Sequence, residues 1–105
     1  MNRPVENKTE LIDQVLSKEK ELRGFGVEKL GIFGSFVKGN IHSNSDVDFF
    51  IEINKAQKNL KNFVALHDFL QNLLQRKVEI VTPQSLNPFI GKYILEEVEY
   101  VPFAA

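Results

Sequence analysis

Apolar residues along this chain fall into blocks of two periods. Near the start, Leu11, Ile12, Val15 and Leu22 recur at helical spacing behind Asn7 and Glu10, whose separation is that of a capping box. Gly24 and Gly26 end that pattern. Leu30, Ile32 and Phe33 predict a first strand over 29–34, with a short helical turn after Ser35. The segment 40–45 is a polar loop. Residues 46–53 alternate and then run apolar, which predicts a second strand.

The segment 59–75 carries the strongest helical signal, with Leu60, Phe63, Val64, Leu66, Phe69, Leu70, Leu73 and Leu74. This arc is wider than the stripe a helix needs to pack on one sheet. Packing on a sheet accounts for Phe63, Leu70 and Leu74, with Leu60 beside them. Phe69 lies about 110° from their centre, with Leu66 and Leu73 between. Two readings stay open: another helix of the domain covers Phe69, or this face meets a partner or a second copy in a homo- or hetero-oligomer.

Beyond Arg76-Lys77, Val78–Val81 predicts a third strand ended by Thr82-Pro83. Asn87-Pro88 is an N-cap and first-turn pair for a helix over 88–96, and Val98–Val101 adds a short last strand. The order α-β-β-α-β-α-β predicts an α/β (α+β) fold, a small mixed sheet with helices packed mainly on one face. At 105 residues the expectation is a single domain over 1–105.

Composition narrows the function by exclusion. A net charge of −1 offers no basic field for nonspecific nucleic-acid binding, so no direct nucleic-acid partner is expected. The chain has no cysteine, which excludes disulfides and cysteine-ligated metals. No apolar stretch approaches the roughly 18 residues of a membrane span, and no signal-peptide pattern opens the chain. A cytoplasmic address is the expectation.

The candidate chemistry lies in Gly34-Ser35-Phe36-Val37-Lys38-Gly39 and in Asp46-Val47-Asp48. Alternate strand residues share a face, so Asp46 and Asp48 project together, about 6.6 Å apart along the backbone. Like charges side by side need compensation, and a hard divalent cation supplies it while also binding substrate phosphates. The turn between the strands could offer backbone N–H groups and the Ser35 hydroxyl to those phosphates. Ser35 could equally cap the following turn, and Lys38 is either a phosphate contact or a solvated lysine. Gly34 and Gly39 read as backbone devices.

Glu79 interrupts the apolar strand 78–81, as a third carboxylate of the site or as the wet face of an edge strand. His42 sits in the polar loop, and His67 within the apolar arc of the long helix. Neither has a His or Cys partner at metal-binding spacing, so no zinc site is expected. Tyr93 and Tyr100 read as core or rim residues, or as targets of self-modification.

The string GSFVKGNIHSNSDVDFFI resembles the signature of the polymerase beta-like nucleotidyltransferase superfamily, and specifically its minimal nucleotidyltransferases. Their form is GSxARG, a short loop, then SDxDLxV. Gly34, Ser35, Gly39, Ser45, Asp46 and Asp48 fall on its glycines, serines and aspartates. Lys38 stands where the family has Arg, and loses the planar fork that clamps a phosphate at two points. Glu79 stands where the family has Asp.

The resemblance implies that Asp46, Asp48 and Glu79 are catalytic and bind two Mg²⁺ ions. It places the nucleotide at Gly34, Ser35, Lys38, Gly39 and Ser45. AMP would pass from ATP to a hydroxyl, as of a tyrosine, on a HEPN-domain toxin, making the chain an antitoxin. Two alternatives stay open: a nucleotide-binding antitoxin that works by occlusion without turnover, and transfer to a small hydroxylated molecule such as an aminoglycoside.

Overall fold

A computed structural model describes residues 3–104. Helices α1 (Lys8–Ser17) and α2 (Glu19–Gly24) precede strand β1 (Val27–Phe33), and the one-turn helix α3 (Ser35–Lys38) follows it. Strand β2 (Val47–Ile53), helix α4 (Leu60–Leu74), strand β3 (Val78–Val81), helix α5 (Pro88–Glu97) and strand β4 (Glu99–Tyr100) complete the order. The strands form one four-stranded sheet in the order β3-β2-β1-β4. β1 pairs antiparallel with β2 and β4, while β2 and β3 are parallel. A parallel pair needs a crossover, and α4 is that crossover.

Strand alternation divides the sheet into two faces. Leu30 and Ile32 of β1 turn the same way as Val47, Phe49 and Ile51 of β2, and all are buried in the main core. Leu11 and Val15 of α1, Leu22 of α2 and Leu66, Leu70 and Leu74 of α4 cover that face. The opposite face carries Gly31 and Phe33 of β1, Asp48 and Phe50 of β2, and Glu79 and Val81 of β3, by their pairing. The C-terminal end of α5 reaches this second face: a Cβ on Gly31 would overlap the Val98 side chain that follows the helix.

Several boundaries differ from the sequence reading for local reasons. The first helix is broken at Lys18, whose φ of −115° and ψ of 20° leave helical geometry. Asn7 caps α1 by accepting from the Glu10 N–H at 2.8 Å, but the Glu10 carboxylate turns to Arg3 at 2.8 Å, so the box is not reciprocal. Asp46 lies one residue ahead of β2. Tyr93 and Tyr100 are exposed, not core.

The two readings of the long helix are resolved in favour of the core. Leu66 is fully buried, and Phe69 and Leu73 pack on the core cluster. Phe25, from the turn between α2 and β1, meets Phe69 with ring centroids 5.4 Å apart. The Phe69 side of the 59–75 helix is therefore partly covered within the domain itself. Leu60 departs from expectation in the other direction: it opens α4 and is 78% exposed. Phe69→Ser should accordingly cost about 2–3 kcal/mol of unfolding free energy in urea melts, below the range for a fully buried Phe because one edge is already wet. A variant as stable as the parent would restore the interface reading.

Candidate active site

The site grows from the junction of β1 and α3. Gly34 ends β1 with φ 78° and ψ −149°, a conformation open in practice only to glycine. It has no room for a side chain either, because a Cβ would overlap Asp48 Oδ2. This close approach follows from the register, in which Phe33 pairs with Asp48. Val37 and Lys38 donate their N–H groups to the Gly34 carbonyl, and Gly39 closes the turn with φ 83°. Phe36 anchors the turn in the core at 1% exposure. Ser35 opens α3 half-buried, and Lys38 is exposed at its end.

Asp48 also pairs across β2 with Glu79, which projects from edge strand β3. Glu79 is exposed, as the wet face of an edge strand, and by register it stands beside Asp48. Asp46 precedes β2 on the same side as Asp48 by alternation. The Asp48 carboxyl is pushed up to about 6, first by burial, then by the charges of Glu79 and Asp46, a hydrogen bond with Glu79, and the charge of Glu97. Like charges thus crowd this face.

Two participants escaped the sequence reading. Glu97, on the last turn of α5, accepts the Gly34 N–H at 2.8 Å through Oε1, and its Oε2 lies 3.8 Å from Lys38 Nζ. Arg76 fixes the 40–45 loop that leads into Asp46. Its guanidinium donates to the carbonyls of His42 and Ser45 at 2.9 Å each and to Val5 at 2.6 Å, and it lies over the Phe36 ring at 5.2 Å. Ser45 also shapes this loop, its hydroxyl accepting the His42 N–H at 2.7 Å. His42 is exposed, and His67 bonds the Val78 carbonyl at 2.8 Å as a half-buried structural residue.

Asp46, Asp48 and Glu79 form an all-oxygen, like-charged donor set, which fits a hard divalent cation. Among the described residues no three such side chains already close on one point as a metal cage. The fit therefore lies in the donor chemistry and in the raised Asp48, not in a finished coordination shell. An open groove of about 360 Å³ beside Ile53, Leu60 and Phe63 lies elsewhere, at the far end of β2. At ~3.3 Å per residue, Ile53 is roughly 17 Å along the strand from Asp48.

Residues 9–101 match the model of the nucleotidyltransferase domain family. The chain belongs to this family. It is 40% identical over 94 residues to the protein adenylyltransferase MntA of Thermococcus cleftensis, an alignment spanning 88% of this chain and 94% of that one. Its fold is similar to a solved toxin–antitoxin structure with AMP-PNP, at a TM-score of 0.70 and 19% identity, covering 89% of this chain and 73% of that one. It is also similar to a chain of the solved structure of a tri-AMPylated Shewanella oneidensis HEPN toxin in complex with MNT antitoxin, at a TM-score of 0.65 and 14% identity, covering 92% of this chain and 73% of that one. As a nucleotidyltransferase, the chain carries its family signature where β1, α3 and β2 meet.

Proposed function

We propose that this nucleotidyltransferase is a protein adenylyltransferase of a toxin–antitoxin pair. It would move AMP from ATP to a hydroxyl, in the first instance a tyrosine, of a HEPN-domain toxin. The observation that carries the reading is the meeting of Asp48 with Glu79, next to Asp46 and the Gly34–Gly39 turn, in a chain 40% identical to an MntA adenylyltransferase.

Asp46, Asp48 and Glu79 would hold Mg²⁺, two ions in the full assembly. The metal would supply charge neutralisation for the triphosphate and lower the pKa of an attacking hydroxyl. Gly34, Ser35, Lys38, Gly39 and Ser45 line the turn and loop assigned to the nucleotide. Ser45 serves there chiefly by shaping the loop, since its hydroxyl is bonded to His42.

Asp48 takes the proton of the acceptor hydroxyl. Its position at the centre of the carboxylate group, beside the Gly34 turn and between β1 and β3, is what favours it for that role. The acceptor oxygen then bonds the α-phosphorus and the bond to pyrophosphate breaks. Catalysis rests on positioning and charge, so few side chains are needed.

Incubation of the chain with α-labelled ATP, Mg²⁺ and a HEPN-domain protein from the same genome tests this reading. Label on the toxin and lost RNase activity are expected. Neutralisation without label would mean occlusion instead. Within the same assay, Glu79→Gln should lower transfer by about 10²-fold, the scale of one preorganised electrostatic group. Glu79→Asp restores the family residue and should retain activity. Parental transfer by Glu79→Gln would return this position to the surface.

A further inference from the structure

Glu97 occupies the two groups of the turn best suited to a phosphate. Its Oε1 accepts the Gly34 N–H at 2.8 Å, and its Oε2 faces Lys38 Nζ at 3.8 Å. A carboxylate and a phosphate make the same demand on such groups, an N–H donor and a cation for two anionic oxygens. Both carboxylate oxygens point to the turn, so Glu97 is seated as an anion there and is not offered to the carboxylates of Asp46 and Glu79. Its charge nonetheless falls on Asp48 and helps raise it, so the seated position works against a charged centre at that face.

We propose that Glu97 is an internal latch that holds the phosphate-binding turn closed to nucleotide, and that nucleotide binding displaces it. The proposal rests on the nucleotide reading of the turn given above. Release is inexpensive in packing terms. Only the Glu97 side chain has to swing, and it already reaches solvent at 24% exposure, so Ile94 and strand β4 stay in place. The displaced carboxylate passes into water, the Gly34 N–H and Lys38 pass to the triphosphate, and one ion pair replaces another. The latch sets the affinity for nucleotide, because each binding event must first break the Glu97 contacts.

Calorimetric titration of the full chain with Mg²⁺-ATP, without toxin, tests it. Glu97→Gln keeps the shape but removes the charge that holds Lys38 and strengthens the bond to Gly34. Loss of a charge-assisted bond of that kind should tighten nucleotide binding about tenfold. Glu96→Gln makes the same change of net charge one residue away, at an exposed position, and should leave affinity within about twofold. Tighter binding by Glu97→Gln alone supports the latch. Equal affinity of parent and Glu97→Gln overturns it and leaves the nucleotide reading intact. Weaker binding by Glu97→Gln overturns it by making Glu97 a ligand of the nucleotide or its cation. Equal tightening by both variants reduces the effect to net charge. Absence of binding by the parent and both variants overturns the nucleotide reading itself, and the latch with it.

Discussion

Asp48→Asn should abolish AMP transfer and at the same time make the protein more stable at neutral pH. Loss of the base and of a cation-binding carboxylate should cost about 10³-fold or more in rate. The stability gain follows from proton linkage. The Asp48 carboxyl is raised to about 6 by burial first and then by its acidic neighbours, so the folded state binds this proton more tightly than the unfolded chain. Between about pH 4 and pH 6 the folded protein therefore loses stability as pH rises, and the whole penalty is present above pH 6.

Two pKa units would correspond to ~3 kcal/mol, but Asp48 is only half-buried and solvent screens it, so about 1–2 kcal/mol is expected. Asparagine carries no charge and removes the penalty. Urea melts should show Asp48→Asn more stable than the parent by that amount near pH 7 and equal to it near pH 4. A variant that is less stable at pH 7 and still transfers AMP would defeat the catalytic assignment of Asp48.

Much of the fold is legible in the sequence because its signals are local. Val78–Val81 and the cap at Asn87 depend only on apolar runs and turn chemistry within a few residues, and both stand as read. The Gly-Ser turn and Asp48 are legible for the same reason. What the sequence hides is long-range.

The adjacency of Asp48 and Glu79 needs the parallel β2–β3 register, which no local pattern specifies. Glu97 lies 63 residues from the Gly34 N–H it accepts. It reads along the chain as one more acidic residue at a helix end. Arg76 looks like the lead-in to a strand until the 40–45 loop folds back onto it. Phe69 is ambiguous in the sequence because Phe25, which packs on it, comes from a turn that carries no periodic signal.

Gly34→Ala should cost much more stability than Gly39→Ala, and the two backbones show why. Both glycines have positive φ, 78° and 83°, so alanine is strained at either. The strain of a left-handed alanine alone is about 1–2 kcal/mol. At Gly39 nothing else is added, since a Cβ there meets no atom within 4 Å. At Gly34 the ψ of −149° lies outside even the left-handed region that alanine tolerates. The new methyl would also overlap Asp48 Oδ2 and sit 3.1 Å from its Cγ.

Rotation of the Asp48 side chain relieves the Oδ2 overlap only by carrying the carboxylate away from its place beside Glu79 and the Gly34 turn. Either the carboxylate leaves its place or the turn leaves the sheet, and the Gly34–Glu97 bond is lost in the second case. A cost of about 3–4 kcal/mol is expected for Gly34→Ala, with transfer lost even in the folded fraction. Gly39→Ala should cost about 1–2 kcal/mol and keep transfer within a few-fold. Thermal and urea unfolding of the two variants, with transfer measured at a temperature where both are folded, separates the effects. Equal losses at the two positions would mean that backbone strain alone matters, and that Gly34 is not the contact through which the turn sets Asp48 in place.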